Sequence, residues 1–164
     1  LDFYNIAKRI KRITDARNIP LIINDRLDIA LAVDAAGVHV GQEDIPARIV
    51  RSIIGDEKIL GVSVSNLQEA VKAQEYGADY IGVGAIFATG TKKDADIVSM
   101  EELKRIRAGV RLPIVAIGGI NAKNVTSFDG IGINGIAVVS ALISAKDIAG
   151  EAKKLKKLSL QVCQ

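Results

Sequence analysis

The sequence predicts an α/β protein built on parallel strands. Six short β-branched runs alternate with segments of helical period, and turn residues bound the runs. Alternation of this kind argues for strand–helix–strand units in which helices cover the strands. Short strands buried on both sides suit two architectures: an open doubly wound sheet or a closed (β/α)8 barrel.

Each element follows from local residues. Asp2 to Asn18 reads as a helix, because Phe3, Ile6, Ala7, Ile10 and Ile13 recur at three-to-four spacing on one face. Pro20 interrupts it, and Leu21-Ile22-Ile23 reads as a buried strand ended by Asn24-Asp25-Arg26. A short helix from Asp28 to Ala36 leads to the strand Gly37-Val38-His39-Val40. Ile45 to Ile54 is helical, entered at Pro46, a favourable first-turn residue. Ile59 to Val64 is a strand, and Leu67 to Tyr76 a helix closed by Gly77. Tyr80 to Val83 is a strand, followed by a long loop from Gly84 to Val98. Met100 to Ala108 is a helix closed by Gly109, Pro113 to Ile117 a strand, and Ala122 to Phe128 a helix. Ile136 to Val139 is the last strand, and the remainder is helical to about Leu158.

The chain of 164 residues is 49% hydrophobic and 25% charged, which fits one soluble globular domain spanning residues 1–164. Disordered, collagen-like and transmembrane classes are excluded, and no basic segment leads into an apolar stretch as in a signal peptide. One cysteine, Cys163, and one histidine, His39, offer neither an intrachain disulfide nor a zinc cluster, and a reducing cytoplasmic setting fits. The net charge of +3 comes from clusters at Lys8, Arg9, Lys11, Arg12 and at Lys153, Lys154, Lys156, Lys157. Both read as solvated helix faces rather than a nucleic-acid surface, which would interleave aromatics. Homo-oligomer formation is left open.

A barrel needs eight strands and typically about 250 residues, whereas six runs are found here and the chain opens on a helix. The barrel reading therefore expects the first two strands to be absent.

Polar residues gather just after the strands, where parallel α/β folds bind ligands. Asp25 and Asp44 follow the first two strands. Two such carboxylates suit one Mg²⁺, which commonly takes one or two carboxylates plus substrate phosphates; the alternative is that each caps a following helix. Asp28 and Glu43 read as exposed residues at helix starts. His39 reads as a packed or hydrogen-bonded histidine, and Ser63 as a strand-end hydroxyl with no histidine and acid beside it to make a nucleophilic triad. Thr89-Gly90-Thr91-Lys92-Lys93-Asp94 offers hydroxyls and compact positive charge to an anion, against the alternative of a solvated loop. It lacks the P-loop spacing, and Gly82-x-Gly84 lacks the third glycine of a dinucleotide fingerprint. Ile117-Gly118-Gly119-Ile120-Asn121 and Val138-Val139-Ser140 end the last two strands and precede helices, the usual place of a barrel's phosphate site.

Together these segments resemble the thiamine phosphate synthase family. The matching text is Ile22-Ile23-Asn24-Asp25-Arg26, Gly37-Val38-His39-Val40-Gly41-Gln42-Glu43-Asp44, Gly61-Val62-Ser63, the run from Gly82 through Asp94, Ala116-Ile117-Gly118-Gly119-Ile120 and Val138-Val139-Ser140. The resemblance implies a (β/α)8 TIM barrel and a Mg²⁺-dependent transferase of thiamine biosynthesis. It joins a hydroxymethylpyrimidine, carried as its diphosphate, to a thiazole phosphate and releases diphosphate. It further implies that Asp25 and Asp44 hold Mg²⁺, that Asn24, Ser63 and Lys92 bind the pyrimidine diphosphate, and that Ser63 and Lys92 are the catalytic residues. Thr89 and Thr91 would contact the thiazole phosphate, with Gly119, Val139 and Ser140 closing around it. The family's diphosphate-gripping Gln-x-Arg-x-Lys segment has no match in the chain. A related thiazole tautomerase places a histidine where this chain has Ser65 and Asn66. A non-catalytic phosphate-binding protein is the other alternative, and the retained Asp25, Asp44 and Lys92 argue against it.

Overall fold

A computed structural model describes residues 1–88 and 97–163. The chain forms two compact units. The first comprises Leu1–Ser63 and Ala73–Asp79, the second Val64–Lys72 and the chain from Tyr80 onward.

In the first unit, α1 (Asp2–Asp15), β1 (Ile22–Asn24), α2 (Leu27–Ala32), β2 (Gly37–Val40), α3 (Ala47–Ile54) and β3 (Ile59–Val64) follow in turn. The strands pair in parallel in chain order, with Ile23, Val38 and Leu60 in one row and Asn24, His39 and Gly61 in the next. Side chains alternate faces along a strand. Ile23, Val38, Val40, Leu60 and Val62 are therefore buried on one face, and α2 lies against β1 and β2. The opposite face carries Asn24, His39, Gly61 and Ser63, and the register that buries the core sets this polar row.

Arg51 ties the unit's far end together. Its guanidinium donates to Gly55 O, Lys58 O and Gly77 O and pairs with Asp79 at 2.6 Å, while Asp79 also accepts the Leu60 N–H at 2.7 Å. One planar fork satisfies carbonyls that helix ends leave open.

The second unit holds β4 (Tyr80–Val83), α5 (Met100–Gly109), β5 (Ile114–Ile117), a one-turn 3-10 helix (Val125–Phe128), β6 (Gly135–Ala137), α6 (Ser140–Ile143) and α7 (Ile148–Val162). Between the stretches assigned to the two units runs α4 (Leu67–Glu75). β4, β5 and β6 pair in parallel, again in chain order. Phe128, Leu103, Ile106, Ile114 and Ile133 form a fully buried centre, and α7 packs on the 3-10 turn. Among the described residues no helix is long and apolar enough to cross a membrane.

The α/β class with parallel strands is as the sequence predicts, and β2, β3 and β4 have the expected bounds. Five expectations need correction. α1 stops at Asp15 and α2 at Ala32, because Asn18 and Asp34 take left-handed backbone at φ 54° and 52°. The helix expected over Ala122–Phe128 is only the 3-10 turn, because the Asn121 and Asn124 side chains hold the preceding backbone. The last strand lies two residues earlier than its predicted end, and Val139 caps α6 instead. The C-terminal helix is broken at Asp147, whose carboxylate accepts the Gly150 N–H at 2.9 Å and starts α7 afresh.

The apolar stripe of α1 is also placed differently. Phe3, Ile6, Ile10 and Ile13 are 41–56% exposed, and Ala7 is the helix's buried residue. The period marks the helix correctly, but the unit covers another side of it.

Candidate active site

Asn24 closes β1, and Asp25 follows in left-handed backbone at φ 63°, a conformation that aspartate tolerates better than most residues. Its N–H donates to His39 O at 2.8 Å, so the ladder between β1 and β2 reaches one residue past the strand. That bond sets Asp25 at the strand end while the chain turns into α2. Asn24 and Asp25 are both exposed. Asp44 lies in the turn after β2, half-buried, and its Oδ2 accepts the Gly41 N–H at 2.7 Å. Neither carboxylate holds the cap position of the following helix: Arg26 caps α2 and Pro46 caps α3. Asp28 is held in an exposed ion pair with Arg26, and Glu43 is exposed, as expected for both.

His39 and Ser63 correct the sequence reading. A histidine does stand beside Ser63: His39 Nε2 lies 2.9 Å from Ser63 Oγ. His39 is in register with Gly61, and Ser63 is two residues further along the same face of β3, so the contact follows from strand pairing and from nothing local. Gln42 Nε2 donates to Ser63 O at 2.6 Å and fixes the strand end as well. His39 is thus a hydrogen-bonded histidine, as expected, but its partner is one of the candidate site residues.

Burial pushes His39 down to about 4 from the ordinary 6.5, while the nearby Asp44 carboxylate pulls the other way. The imidazole is neutral at pH 7. Between pH 4 and 6.5 the unfolded chain binds a proton that the folded chain refuses, so stability must fall as the solution is acidified. The contribution is complete above about pH 6.5, is lost on descent to about 4, and amounts to roughly 2–3 kcal/mol. Denaturant unfolding at pH 7 and pH 4.5 should show this loss, and His39→Gln should be less sensitive to pH by that amount. Equal losses in both proteins would contradict it.

The second unit supplies a backbone site. After β5 the chain passes through Gly118 at φ 96° and Gly119 at φ 63°. A Cβ on Gly119 would fall 2.6 Å from Ala88 O and 2.8 Å from Phe87 O, so only glycine fits both the conformation and the space. Asn121, the last residue of the predicted motif, and Asn124, which sequence reasoning did not single out, bind this loop through their amides. Val139 is 45% exposed, and Ser140 is the exposed first residue of the four-residue α6. Thr89, Thr91 and Lys92 lie outside the described residues.

The first unit therefore brings Asn24, His39 and Ser63 onto one sheet face and sets Asp25 and Asp44 at the ends of neighbouring strands. Among the described residues no group of three or more His, Cys, Asp or Glu side chains could enclose a metal. A pair of carboxylates is the donor set of a cation that keeps its waters and takes phosphate oxygens, as Mg²⁺ does.

The thiamine monophosphate synthase family profile matches residues 1–142. A thiamine-phosphate synthase of Clostridium beijerinckii is 65% identical over 95% of this chain and 75% of its own length. One from Ruminiclostridium cellulolyticum is 60% identical over 94% of this chain and 73% of its own length. The solved structure of a thiamine phosphate pyrophosphorylase from Pyrococcus furiosus is 39% identical, with a TM-score of 0.90 over 98% of this chain and 77% of that one.

Proposed function

Since the chain belongs to the thiamine monophosphate synthase family, we propose which of its residues carry the family reaction. The protein is a thiamine-phosphate synthase, a transferase of thiamine biosynthesis with the α/β barrel class of its relatives. It moves a hydroxymethylpyrimidine group from diphosphate to the nitrogen of a thiazole phosphate, giving thiamine phosphate and diphosphate. The high identity along nearly the whole chain is the observation that carries this conclusion.

The first unit handles the pyrimidine diphosphate. Asp25 and Asp44 hold Mg²⁺, which when bound supplies positive charge against the diphosphate. Two observations support the fit: the carboxylates stand at adjacent strand ends, and the Gly41 N–H fixes how Asp44 is turned. Asn24 and Ser63 bind the same substrate from the polar sheet face. His39 and Gln42 hold Ser63 in place through its hydroxyl and its carbonyl. A neutral imidazole at hydrogen-bond distance orients the hydroxyl without adding charge beside a polyanion. Ser63 acts as a directed hydrogen-bond partner of the departing group and not as a nucleophile.

Bond breaking leads the reaction. Diphosphate leaves with the bonding electron pair, and the pyrimidine ring stabilises the cation left on the methylene carbon. The thiazole nitrogen then donates its lone pair to that carbon. Such a step gains most from neutralised leaving-group charge and a prepositioned second substrate, and little from a strong base. Lys92 supplies fixed positive charge to the diphosphate. Thr89 and Thr91 contact the thiazole phosphate, with Gly119, Val139 and Ser140 closing around it.

Calorimetry with the pyrimidine diphosphate tests the metal assignment. Binding should weaken at least about tenfold when Mg²⁺ is replaced by a chelator, and Asp25→Asn should weaken it comparably with Mg²⁺ present. Equal affinity with and without Mg²⁺ would overturn the assignment of Asp25 and Asp44.

A further inference from the structure

The Gly118–Gly119 loop has a feature that family membership does not explain. Three successive carbonyls are each engaged: Ile117 O accepts the Ile86 N–H at 3.0 Å, and Gly118 O accepts the Phe87 N–H at 3.1 Å. Gly119 O accepts two side-chain amides, Asn121 Nδ2 at 3.1 Å and Asn124 Nδ2 at 3.0 Å. Asn124 is gripped at its other end too, where Oδ1 accepts the Asn121 N–H at 2.8 Å. Asn121 Oδ1 accepts the Lys123 N–H at 2.9 Å. Both asparagines are half-buried, so neither amide is an ordinary solvated side chain.

A trans peptide is planar, and its C=O and N–H point in opposite directions. Fixing the carbonyls of Ile117, Gly118 and Gly119 therefore fixes the N–H groups of Gly118, Gly119 and Ile120. Successive backbone N–H groups held in a turn can make a concave donor site for an anion. The first two carbonyls are held by backbone partners. The third depends on side chains, and it sets the direction of the Ile120 N–H.

We infer that Asn124, assisted by Asn121, is a positioning residue for the thiazole phosphate: it holds the Gly119 carbonyl aside so that the loop presents N–H donors to the anion. Removing the clamp frees the Gly119–Ile120 peptide to rotate. A carbonyl turned toward phosphate repels it, so the cost falls on one substrate's phosphate and spares the rest of the reaction. The inference rests on the reading of Gly119 as a phosphate contact.

The test compares Asn124→Ala, Asn121→Ala and Ser140→Ala by calorimetric titration with the thiazole phosphate and, separately, with the pyrimidine diphosphate plus Mg²⁺. Circular dichroism and thermal unfolding report folding. Asn124→Ala should weaken thiazole phosphate binding about tenfold and Asn121→Ala less, with pyrimidine diphosphate binding within twofold of the parent. If Asn124→Ala fails to fold, Asn121→Ala, which removes one of the two donors, decides the matter with an expected loss of about threefold. Unchanged thiazole phosphate affinity in the folded variants, or equal losses for both substrates, would overturn the inference. Ser140→Ala separates this outcome from failure of the underlying reading. If it weakens thiazole phosphate binding while the asparagine variants do not, the clamp alone is wrong. If none of the three does, the phosphate assignment itself is wrong.

Discussion

Asp44→Asn should cut thiamine phosphate formation by at least about 100-fold at saturating substrates while leaving the fold intact. The substitution isolates charge. The parent carboxylate accepts the Gly41 N–H through Oδ2 at 2.7 Å, and an asparagine carbonyl oxygen can accept the same bond. The turn after β2 therefore keeps its hydrogen bond. What is lost is the negative charge proposed to bind a hard cation, and with it the proposed neutralisation of the departing diphosphate. Thermal unfolding within a few degrees of the parent, together with the collapse in rate, is the expected pair of results. A variant that keeps most of its rate would show that Asp44 only shapes the turn.

Gly119→Ala should raise the KM for thiazole phosphate about 100-fold, a larger effect than loss of either asparagine. The new Cβ would meet the Ala88 and Phe87 carbonyl oxygens at 2.6 and 2.8 Å, and these are backbone atoms that cannot swing away. The residue also sits at φ 63°, where a side chain is strained by roughly 1–2 kcal/mol. The loop must open to accommodate the methyl group, and its N–H groups lose their common direction. Steady-state kinetics with each substrate varied in turn reads the effect. The KM for the pyrimidine diphosphate should move little, because the contacts proposed for it belong to other residues, Asn24, Asp25, Asp44, Ser63 and Lys92. A rise of equal size for both substrates would mean general damage to the fold.

The sequence made the fold class legible because its strands announce themselves. Gly37–Val40, Ile59–Val64 and Tyr80–Val83 have their predicted bounds, each a short apolar run between turn residues. Helix ends were harder. Asn18 and Asp34 end helices by taking left-handed backbone, and their side chains give only a weak hint of it. Ala122–Phe128 stands where an alternating pattern expects a helix, yet Asn121 and Asn124 turn their amides to the loop before it and leave one turn of 3-10 helix. The exposed stripe of α1 shows the limit of periodicity, which reports that a helix is amphipathic without saying which neighbour covers it.

The site divides in the same way. Asp25, Asp44, Gly119 and Ser140 could be proposed because each follows a strand in a recognisable motif. The His39–Ser63 pair could not, since the two residues are 24 positions apart and meet only through the register of β2 on β3. A period-two reading of both strands would have put them on one face, but register is not written in either strand alone.

Turnover of this 164-residue chain tests the account most directly. The protein is mixed with the pyrimidine diphosphate, the thiazole phosphate and Mg²⁺, and thiamine phosphate is assayed beside an Asp44→Asn control. The account predicts product that requires both substrates and Mg²⁺ and nearly vanishes in the control. Equal product from the control, or equal product without Mg²⁺, would contradict it.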